Sequence, residues 1–195
     1  MAKASKKSKT QTQKKNVSKQ KKAKASKTDW PKKTNVLFRP DRYKYVKSDK
    51  KDRPKDCVFC VTAKEPVTFE SLCLFKNSFA QVVMNKFPYN AGHLLVLPIR
   101  HEGDLIAIRE EELREIYQLS QKCVAALTAE YSPQGFNIGS NLGASAGAGI
   151  PEHLHFHIVP RWNGDTNFFP LLAETKVIIE DLEKTYERLK KYFQS

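Results

Sequence analysis

Alternating apolar and polar positions predict the strand around which the chain is organised. From residue 153 the sequence reads His-Leu-His-Phe-His-Ile-Val-Pro-Arg-Trp, with histidine at every second position and apolar residues between. Side chains two residues apart share one face of a strand, whereas on a helix they would spread around the cylinder. We therefore predict a strand with His153, His155 and His157 on one face and apolar residues on the core face, ended by Pro160.

Four further strand-like runs and two helices complete the predicted domain. The runs cover residues 68–75, 79–85, 93–98 and 135–141, and the break at 76–78 is typical of a hairpin. Apolar residues at steps of three and four predict an amphipathic helix over Glu110–Tyr131 and a last helix over roughly Glu174–Phe193. About five strands, one long central helix and one C-terminal helix indicate an antiparallel α+β domain.

The positive charge of the chain is concentrated at its N-terminal end. The 195 residues have a formal net charge of +13, and residues 1–33 contain 13 lysines and a single acid, Asp29. The other residues are nearly neutral, with 21 basic and 20 acidic side chains. Because the lysine-rich segment has few large apolar side chains to bury, we predict a disordered tail over 1–33 and a folded domain over 34–195.

Two interpretations of the tail remain open. A lysine-rich arm can contact nucleic acid or another polyanion, but it can equally be a solubilising tail or a nuclear-import patch. The sequence has neither the apolar core of a secretory signal nor a membrane-spanning run of about 20 apolar residues. We therefore expect a cytoplasmic protein without a membrane partner.

Cysteines and histidines along the chain have the residue types of a metal site. Cys57-x-x-Cys60 supplies two soft donors, and His93, His101 and His153 supply imidazoles. Zn²⁺ in structural sites takes four such ligands, and in a reducing compartment a C-x-x-C pair is more often metal-binding or redox-active than a structural disulfide. A pair of unmetallated thiols is the alternative.

A glycine- and alanine-rich loop leads into the histidine strand. Residues 141–149 read Asn-Leu-Gly-Ala-Ser-Ala-Gly-Ala-Gly, small enough for backbone N–H groups to approach a phosphate. The side chains of Asn141 and Ser145 could add donors. Such a loop is usually just flexible, but directly before three histidines it indicates a phosphate site beside an imidazole nucleophile.

These motifs together resemble the histidine triad (HIT) superfamily of nucleotide-binding hydrolases and transferases. The resemblance covers about residues 37–190 and rests on segments 92–101, 141–143 and 153–159. The branch of diadenosine tetraphosphate phosphorylases (ATP adenylyltransferases) is the most similar, through the segments 37–45, 146–155, 160–162 and 174–177.

The resemblance implies a HIT-like fold, a homodimer, and a role for individual residues. His155 would be the nucleophile that forms a nucleotidyl-histidine, His157 would hydrogen-bond the phosphate region, and His93 would support the triad. Substrate contacts would come from Asn85 at the ribose and from the phosphate-binding residues Asn141, Ser145, Ala146 and Gly147. Structural zinc would be held by Cys57, Cys60, His101 and His153, and no redox cofactor is implied. We add Trp162, whose ring could flank the nucleotide.

One position departs from the hydrolytic members of the superfamily. They have glutamine four residues before the first triad histidine, where this chain has Gly149 in a stretch one residue longer. We therefore expect phosphorolysis of diadenosine tetraphosphate to ATP and ADP, with adenine nucleotides and inorganic phosphate as partners. The alternatives are hydrolysis of dinucleoside polyphosphates or nucleoside phosphoramidates, and a nucleotide-binding module tethered to nucleic acid by the tail.

Overall fold

Five antiparallel strands in one sheet form the framework of the domain. The computed structural model describes residues 56–165 and 178–194, so the predictions for the tail and for segments 37–45 and 174–177 lie outside the described residues. The strands are paired in the order β1-β2-β3-β5-β4. Their bounds are β1 Cys73–Lys76, β2 Ala80–Met84, β3 Leu94–Pro98, β4 Gly135–Gly139 and β5 Phe156–Arg161.

Within the described residues, three α-helices accompany the sheet: α1 over Val58–Lys64, α2 over Glu110–Tyr131 and α3 over Leu182–Lys190. The antiparallel α+β class, the long central helix and the C-terminal helix are thus confirmed. Helix α2 has the predicted bounds, whereas α1 has no counterpart in the prediction. In the described part of the chain, no helix combines the length and the apolar character needed to cross a membrane.

Three elements begin later than predicted, each for a local reason. Helix α3 begins at Leu182 because the Asp181 side chain accepts the backbone N–H of Lys184 and caps it. The first strand begins at Cys73 because the Ser71 hydroxyl donates to the Pro66 carbonyl, 2.8 Å away, and folds that segment into turns. Strand β5 begins at Phe156, so His157 lies within the strand while His153 and His155 precede it.

The two faces of the sheet are buried against different partners. Leu94, Val96 and Ile158 belong to the larger core cluster, which also contains apolar side chains of α2 such as Ile116 and Leu127. Other residues of β1, β2 and β3 point to the opposite face and form a smaller cluster with Phe59 of α1. They are Cys73, Val83, Leu95 and Leu97. The period-two pattern therefore separates a core face from the face that carries the histidines.

Gly92, in the loop between β2 and β3, lets the histidine-bearing loop lie directly on α2. Its φ is +73°, and a Cβ atom there would be 2.8 Å from Cδ2 of Leu127. A side chain would therefore be strained in backbone conformation and would also collide with the helix. This close approach places His93, the next residue, against the sheet at 2% exposure.

Candidate functional site

A cavity of about 850 Å³ lies on the sheet face opposite α2. Apolar side chains line much of it, among them Phe59, Val83, Leu95 and Leu182. His155 and His157 also line it, together with Asn85 and Lys86 at the end of β2. A concave apolar site with a few converging polar groups is the usual form of a small-ligand site.

The hydrogen bonds of His155 determine which ring nitrogen can act as a nucleophile. Its side chain is buried, and Nδ1 lies 2.8 Å from the backbone carbonyl oxygen of His153. A carbonyl oxygen only accepts, so Nδ1 carries the hydrogen and Nε2 is the unprotonated nitrogen of the neutral ring. The Ser140 hydroxyl donates to the backbone carbonyl of His155 at 2.9 Å and holds the peptide in place.

The neighbouring His157 is fixed in the opposite sense by a chain of donors. The backbone N–H of Tyr89 donates to Nδ1 of His93 at 3.0 Å, so the hydrogen of the His93 ring is on Nε2. That Nε2 lies 2.9 Å from Nδ1 of His157, which must accept, leaving the His157 hydrogen on Nε2. The His155 and His157 ring centroids are 5.1 Å apart. The site thus presents an unprotonated Nε2 beside an Nε2–H donor.

Side chains around His93 and His157 restrict both rings. The Tyr89 ring is stacked on His157 with centroids 5.6 Å apart and 16° between the planes. The Asn85 amide nitrogen lies 3.3 Å from Nδ1 of His93, and its amide oxygen accepts the Phe87 backbone N–H at 2.9 Å. Asn85 therefore lies in the cavity wall, and His93 lies behind His157. Their roles at the ribose and in support of the triad stay predictions.

A second cluster brings together two thiols and two imidazoles. The donor atoms of Cys57, Cys60, His101 and His153 all lie within 4.8 Å of one another. Nδ1 of His153 is 3.4 Å from Sγ of Cys57 and 3.6 Å from Sγ of Cys60, and Nδ1 of His101 is 3.3 Å from Sγ of Cys60. The four residues named from the sequence therefore form a set that could hold a metal ion.

The contacts around this cluster orient its donors inward. Nε2 of His153 donates to the Pro98 carbonyl at 2.9 Å, so the lone pair is on Nδ1, which faces the thiols. Burial lowers the pKa of His153, and burial together with the neighbouring Cys57 raises the pKa of Cys60 to about 11. The Cys60 thiol therefore resists becoming a thiolate, and a bound cation would remove that cost.

Phe59 packs between the metal-type cluster and the cavity. It belongs to α1, whose start places Cys57 and Cys60, and its ring is 5.4 Å from that of His153 and 5.2 Å from that of His155. No sequence signal singles out an apolar residue inside Cys57-x-x-Cys60. The sequence prediction also missed Tyr89 and Ser140. The backbone N–H of Tyr89 donates to His93, and the Ser140 hydroxyl donates to the backbone carbonyl of His155, so neither contact follows from a sequence motif.

The structure does not bring every predicted substrate contact to the cavity. In the described part of the chain, the cavity wall includes Gly149 but none of Asn141, Ser145, Ala146, Gly147 and Trp162. The backbone N–H groups of Ala146 and Gly147 donate within the loop itself, at 3.3 and 3.0 Å. The indole N–H of Trp162 donates to the Tyr131 carbonyl, at the end of α2. Their substrate roles stay predictions.

Comparison with known proteins finds similarity to HIT proteins along most of the described domain. A HIT domain family model matches residues 68–164. An AP-4-A phosphorylase of Mycobacterium tuberculosis is 40% identical over 116 residues, which are 60% of this chain and 60% of that protein. An uncharacterized HIT-like protein of Mycoplasma genitalium is 30% identical, covering 70% of this chain and 94% of the relative.

Two further similarities bear on chemistry. An asymmetrical bis(5'-nucleosyl)-tetraphosphatase of Schizosaccharomyces pombe is 29% identical, covering 67% of this chain and 65% of that protein. The crystal structure of a zinc-bound histidine triad family protein from Mycobacterium smegmatis superposes with a TM-score of 0.56 at 26% identity, covering 70% of this chain and 92% of the other. The matches to the phosphorylase and the tetraphosphatase cover 60% and 65% of those proteins, so the chain spans less than two thirds of the length of each.

Proposed function

The chain belongs to the HIT family, and we propose that it is a nucleotide-binding enzyme, a nucleotidyltransferase that phosphorolyses diadenosine tetraphosphate to ATP and ADP. The observation that carries the proposal is the pair of fixed imidazoles. Nε2 of His155 is unprotonated because Nδ1 donates to the His153 carbonyl, and Nε2–H of His157 is a donor beside it. A nucleophile next to a donor is the arrangement that attack on a phosphate requires.

The reaction has two balanced steps. Nε2 of His155 attacks the α-phosphorus, the bond from that phosphorus to the bridging oxygen breaks, and ATP leaves with the bond's electron pair. An oxygen of inorganic phosphate then attacks the nucleotidyl-histidine, which releases ADP and neutral His155. The His153 carbonyl stabilises the positive charge that His155 gains, and Nε2–H of His157 donates to the phosphate oxygens where negative charge increases.

Gly149 supports phosphate rather than water as the acceptor. It lies in the cavity wall, and a Cβ atom at this position would meet no atom within 4 Å. The glutamine of hydrolytic family members would occupy some of this space, so glycine leaves room beside the histidines for an acceptor larger than water. The name of the M. tuberculosis relative agrees with this reading.

Hydrolysis of dinucleoside polyphosphates is the second candidate, because the S. pombe relative carries a tetraphosphatase name. The same nucleotidyl-histidine would then be attacked by water. Hydrolysis of nucleoside phosphoramidates would use the same pair of histidines.

We also propose that Cys57, Cys60, His101 and His153 hold a structural zinc ion. Zinc bonds of about 2.0–2.3 Å to nitrogen and sulfur make the edges of a tetrahedron about 3.3–3.8 Å long. Three of the distances between thiol sulfur and ring nitrogen, at 3.3, 3.4 and 3.6 Å, fall within this range, and all four donor atoms lie within 4.8 Å of one another. Four protein ligands leave no open position, so the ion would fasten α1 to the segment before β5 and take no part in the chemistry. The zinc-bound relative from M. smegmatis supports this assignment.

The remaining expectations concern residues and partners beyond the site. We propose a homodimer, a cytoplasmic location in which the thiols stay reduced, and a tail over residues 1–33 that contacts nucleic acid weakly without taking part in turnover.

The deciding experiment is turnover of diadenosine tetraphosphate with and without inorganic phosphate, by the full chain and by His155→Ala. We expect ATP and ADP only when phosphate is present, and a fall in kcat of roughly 10⁴-fold or more in the variant. A single turnover quenched in denaturant should leave labelled nucleotide on the wild-type protein. AMP and ATP formed without phosphate would establish the hydrolase instead. Unchanged turnover in His155→Ala would exclude both enzymes, and nucleotide binding without turnover would indicate a binding module.

A further inference from the structure

The segment between β3 and α2 is held by one arginine that reaches three partners. Nε and Nη2 of Arg100 donate to the two carboxylate oxygens of Glu112 at 2.9 and 2.8 Å, and Nη1 donates to Glu102 at 2.9 Å. Nη2 also donates to the Ala107 carbonyl at 2.8 Å. Glu112 is 4% exposed, so its charge is buried on the first turn of α2. A buried carboxylate of this kind needs a fixed cationic partner.

Glu102 connects this network to the histidines. Its backbone carbonyl accepts the N–H of Leu154 at 2.7 Å, and Leu154 lies between the metal-type ligand His153 and the nucleophile His155. On the other side of His101, the Pro98 carbonyl accepts Nε2 of His153. The segment from Pro98 to Glu102 thus makes two hydrogen bonds to the two residues that precede the nucleophile.

The segment after β3 and the segment before β5 are in direct backbone contact at Gly103. A Cβ atom there would clash with the Pro151 carbonyl oxygen and with the backbone of Glu152. Because backbone packs on backbone at this point, a shift of one segment moves the other. The position of Glu102 therefore sets the position of the peptide that leads into His155.

Capping of α2 alone does not account for Arg100. The cap is the bond from the Arg109 backbone N–H to Glu112, 3.0 Å long, and it needs no arginine at residue 100. The other bonds of Arg100, to Glu102 and Ala107, tie the segment rather than the helix. Arg114 and Glu110 on the same helix form an ordinary surface pair, with side chains 65% and 82% exposed.

We propose that Arg100, anchored by Glu112, is a positioning residue for the nucleophile: it holds Glu102 so that the Glu102 carbonyl fixes Leu154 and thereby the approach of His155. The inference rests on the proposed function for its effect on turnover, but its structural part stands on the hydrogen bond from Leu154 to Glu102. A misplacement of the nucleophile by about 1 Å costs on the order of 100-fold in rate, so kcat is the sensitive parameter. KM is not, because Arg100 is absent from the described cavity wall.

The test compares Arg100→Met with Arg114→Met, which removes the exposed pair as a matched control. Two quantities are measured in the full chain: the exchange rate of the Leu154 amide hydrogen, and kcat and KM for diadenosine tetraphosphate with phosphate. We expect Arg100→Met to raise Leu154 exchange at least tenfold and to lower kcat about 10- to 100-fold, with KM within about twofold. Arg114→Met should leave both unchanged. Arg100→Lys keeps the charge but not the fork and should fall between them.

Each outcome decides the proposal. Leu154 exchange at the wild-type rate in Arg100→Met would overturn it, and so would a kcat no lower than that of Arg114→Met. If Arg100→Met does not fold, the same two measurements on Arg100→Lys decide in the same way. If the wild-type protein turns over no dinucleotide, the proposed function fails separately, and Leu154 exchange alone decides whether Arg100 holds the segment.

Discussion

If the cluster of Cys57, Cys60, His101 and His153 holds zinc as proposed, removal of the metal should lower the free energy of unfolding of the domain by a calculable amount. An ion that binds the folded state alone contributes about 4 kcal/mol when its free concentration is 1,000 times the dissociation constant. For a chain of this size, each kcal/mol shifts Tm by about 2–4 °C, so we expect chelation to lower Tm by about 8–16 °C. Three of the thiol–imidazole distances, at 3.3–3.6 Å, already match a tetrahedral site, and all four donor atoms lie within 4.8 Å of one another, so much of the binding energy should appear as stability.

The assay is thermal unfolding of the zinc-loaded protein with and without a chelator, alongside the zinc content of the purified protein. Cys60→Ser should abolish the difference between the two melting curves. Cys73→Ala is the matched control, because Cys73 is buried at 0% exposure and lies outside the donor set. It should lower Tm through its own lost packing and still retain the chelator-dependent difference.

Two results would contradict a structural zinc ion in this cluster. Less than about two tenths of an equivalent of zinc after purification in zinc-containing buffer would mean that the cluster is an unmetallated thiol pair. A chelator-dependent shift that persists in Cys60→Ser would mean that the stabilising ion binds elsewhere. Either result would leave the assignment of His155 intact, since its tautomer is set by a backbone carbonyl.

Three further predictions test the neighbouring geometry. His93→Leu removes the donor that fixes the His157 ring and should slow nucleotidylation about 10- to 100-fold in single-turnover experiments. A rate within twofold of wild type would show that the hydrogen bond from His93 to His157 is not needed. Gly92→Ala forces φ of +73° on a residue with a side chain and should lower the free energy of unfolding by about 1–3 kcal/mol in urea, whereas an unchanged midpoint would show that the loop can move. The Arg161 guanidinium holds the pKa of Asp165 well below its usual range. That stabilisation is complete above the unfolded pKa of about 3.9 and is lost as pH falls below it. Asp165→Asn should therefore reduce the fall in the free energy of unfolding below about pH 4. Parallel curves of unfolding free energy against pH for the two proteins would contradict this.

Periodicity made much of the fold predictable. Helix α2 has the predicted bounds because its apolar stripe and its glutamate-rich first turn mark the element on every turn. The separation of His157 from Ile158 onto opposite sheet faces follows from the period of two, and Ile158 is fully buried in the core beneath α2. These signals are local, so one sequence suffices to read them.

The parts that could not be predicted depend on contacts between distant segments. Helix α1 is only about two turns long. The Gln81 side chain joins it to β2 by a hydrogen bond to the Phe59 carbonyl, and no local sequence pattern indicates that contact. Strand β5 starts late because the Leu154 N–H bonds to Glu102 outside the sheet. The tautomer of His157 begins at the backbone N–H of Tyr89, a group that every residue except proline carries. Residue identity says nothing about such groups.

His153 belongs to the metal-type cluster and also contacts His155, the proposed nucleophile, and this affects how variants at the site should be chosen. Its Nδ1 faces the thiols, its Nε2 donates to the Pro98 carbonyl, and its own carbonyl accepts Nδ1–H of His155. A His153 variant would therefore disturb the metal-type cluster, the segment after β3 and the nucleophile's tautomer together, and its effect on rate could not be assigned to one of them. Cys60 touches the cluster and not the backbone of the nucleophile, so the cysteine variants can separate loss of metal from loss of catalytic alignment.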